Sequence, residues 1–102
     1  MTVYCLAQIS ITDRAAYDRY QARFMEVFLR FKGRLLAADE APLVIEGGWE
    51  RDKVILMSFP DEASWRDWAL SPAYQEISRD RHAGSDGVAL LLKGFGAAPS
   101  GT

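Results

Sequence analysis

Apolar residues occupy both faces of almost every strand-like segment in this chain of 102 residues. Val3, Cys5, Ala7, Ile9 and Ile11 share one parity of the first segment, and Tyr4, Leu6 and Gln8 share the other. A period of two is the mark of a strand, whose successive side chains point to opposite sides. Further on, Leu36, Val54 and Leu56 oppose Leu35, Ile55 and Met57, and Leu90, Leu91 and Leu92 follow one another directly. Strands apolar on both sides belong to sheets that are covered on both sides. The fold must supply two covers.

The chain itself supplies one. Asp13 is placed to cap a helix in which Tyr17, Tyr20, Phe24, Val27, Phe28 and Phe31 recur at three- and four-residue spacing up to Gly33. A second strand is expected over residues 34–39, continuing irregularly past Pro42 through Leu43, Val44 and Ile45 to a turn at Gly47 and Gly48. Residues 53–59 form a third. Asp61 then caps a short helix bearing Trp65, Trp68 and Ala69, and Ser71 with Pro72 restarts a helical segment through Tyr74 and Ile77. A turn at Gly84, Ser85, Asp86 and Gly87 leads to a last strand over residues 88–92. The order βαββαβ predicts an α+β, ferredoxin-like sandwich, with an antiparallel four-stranded sheet and helices on one face. The second cover then has to come from another copy, and twofold pairing through the bare sheet face is the commonest solution. Removing roughly 600 Å² of apolar surface per subunit from water at about 25 cal/mol per Å² gives on the order of 15 kcal/mol before association costs.

The predicted domain spans residues 1–96, and residues 97–102, small and containing Pro99, are expected to be a disordered tail. A formal net charge of −2 argues against general affinity for nucleic acid or acidic membranes. No apolar run approaches the length of a membrane span, and the early run at residues 3–7 is too short for a signal sequence. Cys5, as the lone cysteine, cannot form an intrachain disulfide or a Cys-based zinc cage, and a cytoplasmic location is the natural expectation.

An ordered set of residues carries a resemblance. It comprises Tyr4, Ala7, Gln8 and Ile9, then Thr12 and Asp13 followed by Tyr17 and Tyr20, then Gly33 with Arg34. It continues through Glu46, Gly47 and Trp49, Phe59 with Pro60, the group Ser71, Pro72, Tyr74 and Gln75, and Arg81. With these residues the chain resembles the family called domain of unknown function 1330, within the dimeric α/β-barrel superfamily. It departs from that pattern at Lys32, where a glycine is usual, and at His82. The resemblance implies a ferredoxin-like fold and a homodimer. Cofactor-free monooxygenases, lactone isomerases, haem enzymes and plain ligand binders all occur in the superfamily, so it implies no single chemistry.

Among candidate chemical groups, His82 is the only imidazole, and hence the natural candidate for a catalytic proton carrier. A His82, Ser85 and Asp86 triad is discounted because the local run reads as a turn and lacks a nucleophile elbow. Asp39 with Glu40 and Asp61 with Glu62 read as edge and cap residues, so no metal site is predicted. Nothing around His82 signals haem. Lys93, Gly94, Phe95 and Gly96 imitate the start of an aromatic RNA-binding signature, but Ala97, Ala98 and Pro99 break it, and no helix follows to make a dinucleotide loop. No cofactor is expected. The more informative group is Tyr20, Phe24, Trp65, Trp68 and Tyr74, aromatics from two helical regions that can meet over the sheet. Gln8, Arg34, Arg81 and His82 are the expected polar contacts at their edge. An apolar cleft with a few polar groups suits a small ligand. The chain is accordingly expected to bind a compact aromatic or carbonyl compound through Gln8, Tyr20, Arg34, Trp68, Tyr74 and Arg81, as a cofactor-free monooxygenase or isomerase. The alternative is a non-catalytic dimerisation or interaction module in which every aromatic is packing. Trp49 is expected to anchor a turn at the dimer contact.

Overall fold

The computed structural model describes residues 1–95. The expected tail at 97–102 lies outside them. In chain order the elements are β1 (Val3–Ile11), α1 (Arg14–Phe28), β2 (Arg34–Asp39), β3 (Lys53–Phe59), α2 (Glu62–Ala69), α3 (Pro72–Gly84) and β4 (Ser85–Lys93). The sheet order is β2-β3-β1-β4, with every neighbouring pair antiparallel. This is the expected α+β, ferredoxin-like arrangement, with the second helical region divided into α2 and α3.

Each helix starts where a short polar side chain can accept a free N–H of the first turn. Asp13 Oδ1 accepts from Ala16 N at 3.3 Å, Asp61 Oδ1 from Ser64 N at 2.8 Å, and Ser71 Oγ from Tyr74 N at 3.1 Å. The Ser71 hydroxyl also donates to the Trp68 carbonyl at 2.8 Å. It thereby closes α2 and opens α3 with one side chain.

Register decides which side of the sheet meets the helices. Val3, Cys5 and Ile9 of β1 are buried, and they stand beside the buried Phe59, Met57 and Lys53 of β3. Against them pack Tyr17, Tyr20, Val27 and Phe28 of α1, Trp68 of α2, and Tyr74 and Ile77 of α3. The other side carries the row Leu90, Leu6, Leu56 and Ala37 across the four strands, with Val88 and Leu92 in the flanking rows. No element among the described residues covers that side: Val88 is 47% exposed, Leu90 50% and Leu92 42%.

Two sequence expectations are corrected. The second strand does not continue past Pro42, because it ends at Asp39, whose carboxylate accepts the Ala41 N–H at 2.8 Å and turns the chain. Leu43 and Ile45 are each 84% exposed in the connection that follows. The run from Gly84 to Gly87 is not a turn either. Gly84 ends α3, Ser85 begins β4, and the Gly84 carbonyl accepts N–H groups of Thr12 and Asp13 at 2.8 and 3.1 Å. A side chain at 84 would meet the Tyr17 backbone nitrogen at 2.5 Å, and one at 87 would collide with the Gln8 carbonyl oxygen. These glycines permit close backbone approach, a use that composition alone does not separate from a turn.

Candidate functional site

Between helices and sheet lies a cavity of about 580 Å³. Its floor explains why it is there. The row Ala38, Ile55, Ala7 and Ala89, together with Gly87, presents small side chains at four of five positions to the helices above. Trp68, Tyr74 and Phe24 are held out of that space by the rings they pack against. Trp68 lies 4.2 Å from Tyr74 and 5.5 Å from Phe59 between centroids, and Phe24 stacks on Phe28 at 5.0 Å. Tyr17, Tyr20, Phe24, Trp65, Trp68 and Tyr74 form the roof and walls.

Three of the polar atoms walling this cavity are donors left without acceptors. Trp65 Nε1, Trp68 Nε1 and Arg81 Nε are each buried and have no hydrogen-bond partner among the described residues. A buried donor without an acceptor costs about 1–3 kcal/mol, so three in one cavity are unusual. Tyr20 and Tyr74 pair their hydroxyls at 2.9 Å. Burial, with the neighbouring Tyr74 oxygen, pushes the Tyr20 phenol well above its ordinary value, and burial pushes Tyr17 up to about 12. Both are neutral phenols near pH 7. Burial also pushes the Cys5 thiol up, opposed by the nearby Trp65 indole, whose N–H makes no hydrogen bond of ordinary geometry, and by the Arg81 charge. Lys53 enters from β3, buried, with Nζ donating to Gln21 Oε1 at 2.6 Å.

Of the residues expected to form a site, Tyr20, Trp68, Tyr74, Arg81 and His82 all line this cavity. His82 is exposed at its rim, with Nε2 3.4 Å from an Arg81 terminal nitrogen. Gln8 and Arg34 do not join them. Gln8 has the parity of Leu6 and points to the uncovered side, where its Oε1 accepts the Trp49 indole N–H at 2.9 Å. Arg34 stands beside Ser58, on the parity of Tyr4 and the same uncovered side, and is exposed. The strand period is the physical reason for both corrections. Lys53 was missed: it begins a strand, where a lysine reads as an ordinary solvated edge. Its parity with Ile55 and Met57 was the available signal.

The Ser85 hydroxyl, also in the cavity lining, donates to the Arg81 carbonyl at 2.7 Å and so is tied to the end of α3. Among the described residues, no group of three or more His, Cys, Asp or Glu side chains is placed to hold a metal ion. No helix among them is long and apolar enough to cross a membrane.

A four-stranded antiparallel sheet with helices on one side places this protein in the α+β, ferredoxin-like class. More narrowly, the chain belongs to the family described as domain of unknown function (DUF1330), whose model matches residues 2–95. No curated protein is similar at a significant level. Among solved structures, the protein of unknown function RPA0582 from Rhodopseudomonas palustris is 20% identical with a TM-score of 0.78, covering 93% of this chain and 83% of that one. SnoaB, a cofactor-independent oxygenase from Streptomyces nogalater, is 17% identical with a TM-score of 0.67, covering 97% of this chain and 98% of that one. A dabb family protein with a ferredoxin-like fold from Mesorhizobium loti is 12% identical with a TM-score of 0.67, covering 93% and 98%. At these identities the likeness is one of fold.

Proposed function

We propose that the cleft binds a compact aromatic or carbonyl compound, and that the chain acts on it as a cofactor-free monooxygenase or isomerase. The carrying observation is the set of orphaned donors, Trp65 Nε1, Trp68 Nε1 and Arg81 Nε, lining a cavity of ligand size. Donors without acceptors call for a ligand rich in acceptor oxygens. They also favour the anion of that ligand over its neutral form, because an enolate or phenolate oxygen accepts more strongly than a carbonyl.

Both reaction types begin with that anion. His82, at the rim, takes the proton, and the indole and guanidinium donors hold the charge left on oxygen. An isomerase returns the proton to a different carbon. A monooxygenase lets the carbanion reduce dioxygen, so that a CH₂ group and O₂ give C=O and water, with one oxygen atom in each product. The fold shared with SnoaB supports the second route without deciding between them. Tyr20 and Trp68 orient the ring, and Tyr74 holds the Tyr20 hydroxyl.

The exposed apolar row of the sheet supports a homodimer formed through that face, and the lone buried Cys5 is consistent with a reducing cytoplasm. A module that only associates with itself would have no use for a cleft of ligand size between helices and sheet, which weighs against that alternative.

The test is a visible-absorbance titration of 2-hydroxy-1,4-naphthoquinone, whose anion is coloured. Saturable binding with the ligand acid strengthened, weakened about tenfold or more in Arg81→Gln, is the expected outcome. Affinity unchanged in that variant, or no saturable binding, would refute the site. For the reaction, loss of deuterium exchange and of oxygen uptake in His82→Ala is expected with any turned-over ligand.

A further inference from the structure

Lys53 sits on the helix side of the sheet, beside Ile9, with only 6% of its surface exposed. Positions of that kind are normally apolar, because an ammonium removed from water is stable only when paired. Here the pairing is incomplete. Nζ donates to the neutral Gln21 amide at 2.6 Å and lies 4.9 Å from the centre of the Tyr17 ring. None of the ion pairs among the described residues includes it. Asp18 and Glu40, the carboxylates whose charge it feels, are both engaged by Arg14, at 3.1 and 2.8 Å. Gln21 reaches Asp18 through its own Nε2 at 3.1 Å, so compensation arrives only through an intervening amide.

Arg81 repeats the pattern at another wall. It too is absent from those ion pairs, and its Nε is buried without an acceptor. Lys53 and Arg81 line the same cavity, and the only carboxylate in that lining belongs to the exposed Asp86, which stands beside Ser10 on the parity of the uncovered side. Lys53 belongs to β3, on one flank of β1, whereas Arg81 comes from α3, which delivers the chain to β4 on the other. Two cations therefore face one cleft from different walls, with no buried carboxylate between them among the described residues.

We infer that the cleft takes an aromatic acid with oxygen at both ends, a carboxylate against Lys53 and a carbonyl or phenolate oxygen against Trp65, Trp68 and Arg81. This rests on the ligand site proposed above and narrows its substrate class. Gln21 is the positioning residue, because its carbonyl oxygen aims Nζ while leaving the ammonium charge unneutralised. A neutral aromatic of the same size would satisfy only one wall. An acid satisfies both and balances the charge.

Calorimetric titration of 2-naphthol and 6-hydroxy-2-naphthoate, which differ only by the carboxylate at the far end, tests this. The intact protein should bind the acid about tenfold or more tighter than the naphthol. Lys53→Met should erase that margin while leaving 2-naphthol affinity within about twofold, which also certifies that the variant is folded. Gln21→Glu, a change at a half-exposed position, supplies the same test by placing a carboxylate of the chain's own against Nζ. An equal affinity for both probes in the intact protein, or a margin that survives in both variants, overturns the aromatic-acid assignment and leaves the cleft standing. Binding of neither probe overturns the assignment together with the ligand site beneath it.

Discussion

Replacing Leu90 by Asp tests the twofold pairing of sheets. Leu90 lies in the row with Leu6, Leu56 and Ala37 and is 50% exposed in a lone subunit. That exposure corresponds to on the order of 80 Å² of side chain left to be covered, or about 2 kcal/mol at 25 cal/mol per Å². A twofold interface counts each position twice, giving about 4 kcal/mol, close to a thousandfold in dissociation constant. The cost of burying a carboxylate in an apolar interface makes this a lower bound. The lone subunit should still fold, because half of the side chain already faces water there. Sedimentation velocity at low micromolar concentration should give a dimer for the intact protein and a folded monomer for Leu90→Asp, with unchanged far-ultraviolet dichroism. A dimer persisting in the variant, or a monomer for the intact protein, would refute the reasoning.

Two further outcomes follow from packing and titration. Gly84→Ala should lower stability by about 2 kcal/mol or more, since the added methyl would meet backbone atoms of Tyr17 and Asp13 at 2.5 and 2.8 Å, and backbone cannot swing aside; urea unfolding midpoints unchanged within error would contradict this. The Tyr17 phenol, raised from 10.0 to about 12 by burial, contributes stability that is fully present below pH 10 and is lost as pH rises towards 12. The two-unit span corresponds to about 2–3 kcal/mol. Tyr17→Phe should therefore lose less stability than the intact protein between pH 9 and 11.5, even though Cys5 and Tyr20 titrate in the same direction and Lys53 in the opposite one. Parallel alkaline limbs in urea unfolding would refute it.

Much of the fold was legible because local signals agreed with one another. Asp13, Asp61 and Ser71 sit ahead of apolar periodicity and cap the helices as read, and the βαββαβ order fixes the sheet once the strands are known. The site was harder for one physical reason. Both parities of β1 are apolar enough to face a core, so the sequence does not say which parity meets the helices. Chemistry alone directs Gln8 and Arg34 to the cleft, and register places both on the uncovered side. The same ambiguity hides Lys53: its parity with Ile55 and Met57 is legible in the sequence, but that this parity meets the helices is not. The orphaned donors were legible as aromatics and a cation, but that they lack acceptors is a property of packing.

The most direct measurement is a pair of ¹H–¹⁵N spectra of the three tryptophan side chains, with and without 2-hydroxy-1,4-naphthoquinone. Trp65 and Trp68 N–H signals should move downfield as they gain an acceptor, while Trp49, already bonded to Gln8 on the far side of the sheet, stays in place. Movement of Trp49 alone, or of none of the three at a saturating ligand concentration, would contradict a ligand site beneath the helices.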